Sequence, residues 1–173
     1  MDETNAISFD TALGRCAVRW TDAGITSVYL PSTRGVPGLP IETARDVPPF
    51  VRRAVDGMQA VMAGEPRDLR DVPIDHRDAD DFRRAVYTAT RDIPAGTTLS
   101  YGEVARAIGR PDGARDVGAA LARNPTPILV PCHRVVAADG KLTGFSAPGG
   151  LATKRRMLEL EGAPGYGQQT LFG

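Results

Sequence analysis

The sequence predicts an α+β protein, in which a small antiparallel sheet with one helix is followed by a mainly helical unit. Three short segments that mix apolar and polar residues come first, at residues 5–9, 16–20 and 25–30. Gly14 and Asp22-Ala23-Gly24 separate these segments, as turns separate the strands of hairpins. Further along, apolar residues recur at helical spacing. We therefore expect three parts, namely a sheet-and-helix domain at 1–75, a second domain at 80–163 and a tail at 164–173.

A proline-rich loop and one helix complete the first domain. Residues 31–49 contain five prolines and are predicted to form the loop. The helix is predicted from four apolar residues at a spacing of four: Phe50, Ala54, Met58 and Met62. Gly64-Glu65-Pro66 ends this helix, and the polar stretch 67–79 is interpreted as a linker between the two domains.

The second domain is predicted to consist of successive short helices. The first, at 80–92, has an apolar side that comprises Phe82, Ala85, Val86 and Ala89. Ser100-Tyr101-Gly102-Glu103 fits the S-x-x-E capping box and predicts a helix from about residue 101 to 108. After a turn at 109–111, Asp112 is expected to cap a helix that buries Val117, Ala120 and Leu121. Two helices joined by a short turn occur in DNA-binding proteins, but also in many proteins that never touch DNA.

Composition and charge exclude several classes of protein. No run of about 18 apolar residues and no secretory signal is present, so we expect a cytoplasmic protein without membrane contact. The chain has two cysteines and two histidines, too few for a convincing four-ligand zinc site, and we predict free thiols and no metal. Residues 1–93 carry 12 basic and 15 acidic side chains, whereas residues 94–173 carry 9 and 6. The basic half of this neutral chain therefore coincides with the helix-turn-helix pattern.

The segment Pro131-Cys132-His133-Arg134-Val135 is the strongest candidate for chemistry. Residues 127–130 are mostly apolar and predict a buried strand that delivers Cys132 to the interior. Buried cysteines are most often inert, but an imidazole can take the thiol proton directly or through water, and the thiolate is the nucleophile. A third group would orient the histidine. The candidates are Asp139, Glu159 and Glu161, and the pattern alone does not choose among them.

Motifs in a fixed order extend this segment in both directions. They are Ser100-Tyr101, Arg115, Asn124-Pro125, Pro131-Cys132-His133-Arg134-Val135, Thr143-Gly144-Phe145, Gly149-Gly150-Leu151 and Leu158-Glu159-Leu160-Glu161-Gly162. The set resembles the O6-alkylguanine-DNA alkyltransferase family, densely from about residue 80 to 163 and only in general layout before that. The resemblance implies a ribonuclease H-like first domain and a winged helix-turn-helix-like arrangement in the second.

The resemblance also implies a reaction. Cys132 would take the alkyl group from O6-alkylguanine in double-stranded DNA and keep it, with O4-alkylthymine left open as a second substrate. His133 would act as a water-mediated base, and Glu161 would orient His133. Tyr101 would protonate the departing guanine, and Asn124 would brace the turn before Cys132. No cofactor is implied.

Further residues are implied to bind the DNA and the damaged base. The implied DNA-binding residues are Ala114, Arg115, Gly118 and Arg134. Arg115 would occupy the place vacated by the flipped nucleotide, while Arg134 would also help to hold the active-site region together. The implied pocket residues are Val135, Phe145 and Ser146. We expect a monomer and leave open whether several copies bind cooperatively along DNA.

Two other functions compete with this interpretation. One is a non-enzymatic protein that binds alkylated guanine and marks it for other repair pathways; such relatives lack the cysteine, and Cys132 argues against it. The other is a cysteine hydrolase, but no glycine motif for an oxyanion hole precedes Cys132.

Overall fold

The computed structural model describes residues 5–42, 46–145 and 148–167. The predicted pocket residue Ser146 and the end of the predicted tail, 168–173, lie outside these ranges. Within them, a three-stranded antiparallel sheet and five α-helices form a mixed α/β structure. The predicted combination of a small sheet with helices is therefore confirmed.

The sheet is built from three consecutive strands: β1 (Ala6–Thr11), β2 (Gly14–Thr21) and β3 (Gly24–Tyr29). They pair in the order β1-β2-β3 as two hairpins, as the turn signals predicted. Helix α1 (Pro49–Met62) contacts this sheet and buries one apolar face: Val51, Ala54, Val55, Met58, Val61 and Met62. These side chains share a core with Phe9, Val18 and Ile25 of the sheet. Burial of this apolar area is the main stabilising term of the first unit.

The stretch predicted to be a linker, 67–79, is attached to the sheet. The amide of Ile25 donates to the carbonyl of Pro73 at 2.9 Å, and the amide of Asp75 donates to the carbonyl of Ile25 at 2.8 Å. The hydroxyl of Thr21 donates to the Asp75 carboxylate at 2.8 Å, and Val72 is buried. This segment, interpreted from the sequence as a linker, therefore also extends the β3 edge.

The second unit contains four helices and one short pair of parallel strands within the described residues. They are α2 (Asp81–Arg91), β4 (Leu99–Ser100), α3 (Tyr101–Ala107), α4 (Ala114–Ala122), β5 (Val135–Val136) and α5 (Gly150–Leu160), with β4 paired to β5. Ser100 caps α3 as predicted, because its hydroxyl accepts from the Glu103 amide at 3.0 Å. Asp80 caps α2 in the same way, accepting from the Arg83 amide at 2.8 Å.

Some local predictions in this unit are wrong. Gly113, not Asp112, is the N-cap of α4, and no side chain caps it. On α2 the buried residues are Val86, Tyr87 and Thr90, whereas Ala85 is exposed. The Tyr87 hydroxyl donates to the Ala120 carbonyl at 2.8 Å, so this aromatic residue tethers α2 to α4.

Two further segments differ from expectation. Residues 127–130 are buried as predicted but form a turn instead of a strand, and Ile128 adopts a positive φ of 72°. At the other end, the tail was predicted to begin at residue 164, but Tyr166 is buried and its hydroxyl donates to the Gly140 carbonyl. Tyr166 packs with Val136 and Leu158 in a small third cluster.

The two units share buried surface. Ile128, Leu129 and Met157 of the second unit belong to the core that the sheet and α1 form. A backbone hydrogen bond also crosses between them, from the amide of Val28 in β3 to the carbonyl of Pro125 at 2.9 Å. The turn that leads to Cys132 is thus fixed to the first unit by packing and by a hydrogen bond.

Candidate active site

The backbone around Cys132 is tightly folded. The amide of Val130 donates to the Thr126 carbonyl at 2.9 Å, and the amide of Cys132 donates to the Val130 carbonyl at 2.7 Å. A single 3₁₀ turn, Cys132–Arg134, follows. Because this turn replaces the alternating geometry of a strand, successive side chains need not point to opposite faces.

Asn124 holds this turn from inside. Its Nδ2 donates to the Val130 carbonyl at 2.9 Å, while its Oδ1 accepts from the Thr126 amide at 3.0 Å. Burial raises the pKa of the Cys132 thiol, although the Asn124 side chain and the charge of Lys154 act in the opposite direction. The resting group is therefore a protonated thiol that needs a base before it can attack.

His133, Glu161 and Arg134 form a buried charge cluster directly after Cys132. His133 Nε2 lies 2.7 Å from Glu161 Oε1. The Arg134 guanidinium donates to both carboxylate oxygens of Glu161, through Nε at 3.0 Å and Nη2 at 2.8 Å, and through Nη1 to the Ile93 carbonyl. The His133 and Glu161 side chains are 0% exposed. Of the three acidic candidates for the third group, Glu161 is the one that contacts His133.

The electrostatics of this cluster assign the proton positions. Burial by itself would raise the pKa of Glu161, but His133 and Arg134 outweigh it and hold that pKa at about 2. Burial lowers the pKa of His133 more than the Glu161 carboxylate raises it, so the imidazole is neutral. A carboxylate only accepts, so Nε2 carries the imidazole proton. Nδ1 is buried without a hydrogen-bond partner in the described ranges, and its lone pair is available as a base.

Lys154 is a buried cation that the sequence interpretation missed. It is 1% exposed, and its Nζ donates to the carbonyls of Val135 at 2.7 Å and Thr143 at 3.0 Å and to the Tyr101 hydroxyl at 3.3 Å. The Tyr101 hydroxyl in turn donates to the Thr143 carbonyl at 3.1 Å. Lys154 therefore fixes the position of the Tyr101 ring and adds positive charge near Cys132.

Lys154 could have been found from the sequence. It lies three and four residues before Met157 and Leu158, the two buried apolar residues of α5. That spacing places all three side chains on one face of the helix, so a lysine was present on an apolar face.

A cleft of about 340 Å³ lies beside Cys132. Tyr101, Asn124 and Phe145 line it together with Cys132, and the first unit contributes residues from the end of β3 and the turn after it. Val135 is not among the described residues that line the cleft; its side chain is fully buried, and its carbonyl accepts from Lys154. The base contact predicted for Val135 stays a prediction.

The residues predicted to contact DNA divide into two groups. Arg115 is exposed near the start of α4, and Ala114 and Gly118 are partly exposed on the same helix. A Cβ at Gly118 would lie 3.8 Å from the Tyr101 ring, so the small residue also lets α4 pack closely on Tyr101. Arg134 differs from these residues. Its guanidinium is buried against Glu161 and Ile93, where it holds the site together, and the DNA contact predicted for it stays a prediction.

Two general features complete the description of the site and its surroundings. In the described ranges, no group of three histidine, cysteine or acidic side chains could hold a metal ion. No helix there is long and apolar enough to cross a membrane.

Comparisons with known proteins agree on one family. Residues 81–163 match the family model of the 6-O-methylguanine DNA methyltransferase DNA-binding domain. A methylated-DNA–protein-cysteine methyltransferase from Mycobacterium bovis is 49% identical over 119 residues, covering 69% of this chain and 70% of the relative. One from Methanothermobacter thermautotrophicus is 35% identical over 153 residues, covering 87% and 81%.

Solved structures extend the similarity to nearly the whole chain. Mycobacterium tuberculosis OGT in complex with DNA superposes with a TM-score of 0.74 at 37% identity, covering 93% of this chain and 96% of that one. The O6-methylguanine-DNA methyltransferase of Pyrococcus kodakaraensis gives 0.69 at 26% identity, covering 91% and 99%. The chain belongs to the methylated-DNA–protein-cysteine methyltransferase family.

Proposed function

We propose that this protein repairs alkylated DNA directly, by moving the alkyl group from guanine O6 to Cys132 in a reaction that each molecule performs once. The observation that carries the proposal is the neutral, buried His133 beside Cys132, with Nε2 bound to Glu161 and Nδ1 left without a partner in the described ranges. This is the arrangement that a thiol with a raised pKa requires.

The transfer step is a displacement at carbon. His133 Nδ1 accepts the Cys132 proton, through a water molecule, and the sulfur then attacks the alkyl carbon. The new S–C bond forms as the C–O6 bond breaks, and the electron pair of that bond leaves with the guanine. Glu161 and Arg134 hold His133 in the productive orientation and stabilise the imidazolium that forms. The thioether has no route back to a thiol, so the protein is consumed.

Tyr101 is the residue we assign to the leaving group. Guanine leaves with negative charge, which a proton at N3 neutralises. Lys154 donates to the Tyr101 hydroxyl oxygen at 3.3 Å, so the hydrogen of that hydroxyl points away from Lys154 and can be donated to the base. Thr143 accepts from that hydroxyl at 3.1 Å before substrate binds and keeps the ring in place.

The binding mode follows from where the thiol lies. Cys132 is 9% exposed, so a base stacked in a duplex cannot reach it and must leave the stack. We propose that α3 and α4 form a winged helix-turn-helix-like unit that contacts the minor groove of double-stranded DNA. Ala114 and Gly118 would allow close approach, and Arg115 would fill the vacated place. Phe145 would contact the extruded base, and the protein would act as a monomer behind a ribonuclease H-like first domain.

A protein that only marks alkylated guanine is the second candidate, and the presence of Cys132 with its base disfavours it. The test is to incubate the protein with a duplex that carries O6-methylguanine and to measure intact and peptide masses. We expect one methyl group on the Cys132 peptide of the wild type and none on Cys132→Ser. Cys16→Ala, which alters the other buried thiol, should be methylated like the wild type. DNA binding with no mass gain would establish the marking function, and repeated turnover would establish a hydrolase.

A further inference from the structure

The cleft beside Cys132 has a wall that the second unit does not supply. Tyr29 and Leu30, at the end of β3, and Thr33, in the turn that follows, line it together with Tyr101 and Cys132. No residue of the first unit was expected near the reaction. This wall therefore bounds the site with residues that lie outside the family motifs.

This wall is held rigidly. Val28 in β3 donates its amide to the Pro125 carbonyl at 2.9 Å, next to the Asn124 that braces Cys132. The Thr33 hydroxyl donates to the Leu30 carbonyl at 2.7 Å and closes the turn. The guanidinium carbon of Arg19 lies 6.0 Å from the centre of the Tyr29 ring and packs over it. Because the wall and the thiol are tied to the same turn, the distance between them is fixed by the fold.

The size and the lining residues of the cleft indicate which kind of chemical group it can hold. At about 340 Å³ the cleft lies within the roughly 300–1,000 Å³ range of pockets that hold small ligands. The described residues that line it carry no charged side chain, and most are apolar. Such a surface favours a neutral apolar group over a charged one, because a charge there would lose its hydration without a partner.

We propose that Tyr29 and Thr33 set the upper size of the alkyl group that Cys132 accepts. The inference rests on the proposed alkyl transfer and adds a specificity-determining role for the first unit. Adducts that fill the cleft pack against the Tyr29 ring, and adducts that exceed it collide with the Tyr29–Thr33 wall. Since interiors tolerate little added volume, the limit is sharp.

The test compares two substrates in the same duplex, one with O6-methylguanine and one with O6-benzylguanine. The rate of alkylation of Cys132 is measured for each under single-turnover conditions with protein in excess. The quantity of interest is the benzyl-to-methyl rate ratio, because effects on DNA affinity are common to both substrates and cancel. We expect Thr33→Phe to lower this ratio at least about tenfold and Tyr29→Ala to raise it several-fold.

Arg34→Phe is the matched control, since it places the same aromatic group one residue further along the turn at an exposed position that does not line the cleft. The benzyl-to-methyl rate ratio of Arg34→Phe should equal that of the wild type. Thermal unfolding monitored by circular dichroism identifies a variant that fails to fold. If Thr33→Phe or Tyr29→Ala fails to fold, the rate ratio of the other variant tests the inference. An unchanged ratio in a folded Thr33→Phe or Tyr29→Ala protein overturns the inference, even if both rates fall together. Absence of methyl transfer in the wild type instead overturns the proposed function.

Discussion

The two buried thiols of this protein lie in regions of opposite character. Cys16, in β2, is surrounded by the apolar core, and burial raises its pKa to about 11. Its hydrogen-bond partners are neutral, the Thr11 hydroxyl at 3.7 Å and the Gly14 carbonyl at 3.9 Å, and the negative charge of Asp10 also raises its pKa. Cys132 is also buried with a raised pKa, but Lys154 and a neutral imidazole lie close to it. Burial alone therefore makes an inert cysteine, and the buried charges around Cys132 are what permit reaction.

The same contrast holds for ion pairs. In the first unit, pairs such as Arg15–Asp10 are on the surface, with side chains 42% and 64% exposed. In the second unit, the Arg134–Glu161 pair is 7% and 0% exposed. Surface pairs contribute little to stability, whereas a broken buried pair leaves a charge without compensation. The second unit thus depends on its charges both for chemistry and for folding.

Glu161→Gln should produce the largest effect. The amide keeps the shape of the side chain but removes the charge that orients His133 and compensates Arg134. We expect the rate of alkyl transfer to fall by about 10²–10⁴-fold, the usual contribution of general acid–base catalysis. The free energy of unfolding should fall by about 3–5 kcal/mol, because Arg134 stays buried without its partner. Single-turnover kinetics and urea unfolding measure the two quantities.

Asp10→Asn is the control from the first unit, since it removes the carboxylate of the exposed Arg15–Asp10 pair. Neither the transfer rate nor the urea midpoint should change measurably. If Asp10→Asn and Glu161→Gln lowered the midpoint equally, the contrast between the two regions would be wrong.

Lys154→Met should produce the next largest effect, and mainly on the pH dependence. The charge of Lys154 lowers the pKa of Cys132, so its removal should shift the rising limb of the pH–rate profile to higher pH. At pH 7 we expect the rate of alkyl transfer to fall by roughly tenfold, which corresponds to about 1.4 kcal/mol in the activation free energy. The free energy of unfolding should also fall, by about 1–3 kcal/mol, because the buried Val135 carbonyl loses its donor.

Lys141→Met is the matched control, because Lys141 is the other lysine of the chain and its side chain is 81% exposed. Its pH–rate profile should coincide with that of the wild type. A Lys154→Met protein with a lower rate but an unshifted profile would indicate that Lys154 only positions Tyr101.

The sequence predicted those parts of the fold that have local signals. Gly14 and residues 22–24 marked the hairpins correctly, and Ser100 marked the start of α3, because turns and caps depend on residues within a few positions. Residues 127–130 were predicted to form a strand, because an apolar run has the same composition in a buried strand and a buried turn. Only tertiary contacts, such as that of Asn124 with the Val130 carbonyl, distinguish the two.

In the candidate site, too, some residues could be predicted from the sequence and others only from the folded structure. Cys132 and His133 were found because they are adjacent in sequence, and the contact of Glu161 with His133 came only from the family resemblance. Lys154 was missed although its spacing placed it on a buried face. The Tyr29–Thr33 wall had no sequence signal, because it depends on how the first unit packs on the Pro125 turn.

Gly24→Ala tests whether the close contact of Gly24 with Pro73, away from the cleft, contributes stability without affecting methyl transfer. Gly24 has a φ of +152°, and an added Cβ would lie 2.7 Å from the backbone oxygen of Pro73. Because backbone must move, we expect a loss of about 1–3 kcal/mol in the free energy of unfolding. Methyl transfer, measured well below the melting temperature, should keep the wild-type rate.

Gly35→Ala is the comparison for Gly24→Ala, since Gly35 also has a positive φ, +92°, but nothing lies within 4 Å of an added Cβ. Gly35→Ala should lower the free energy of unfolding by a smaller amount, about 1 kcal/mol, from backbone strain alone. If Gly35→Ala lowered the free energy of unfolding as much as Gly24→Ala does, the contact with Pro73 would not be the cause of the destabilisation.

Acid unfolding should give the most specific difference between the regions. The pKa of Glu161 is held at about 2 in the folded protein, below its ordinary value of 4.5. A group with a lowered folded pKa stabilises the protein above its ordinary pKa, and that stabilisation is lost as the pH falls through the window from 4.5 to 2. The free energy of unfolding of the wild type should therefore fall across this window more steeply than that of Glu161→Gln, by up to about 1.4 kcal/mol per pH unit. Urea titrations at several pH values measure both slopes, and equal slopes would mean that another carboxylate, such as Asp75 of the first unit, dominates the acid response.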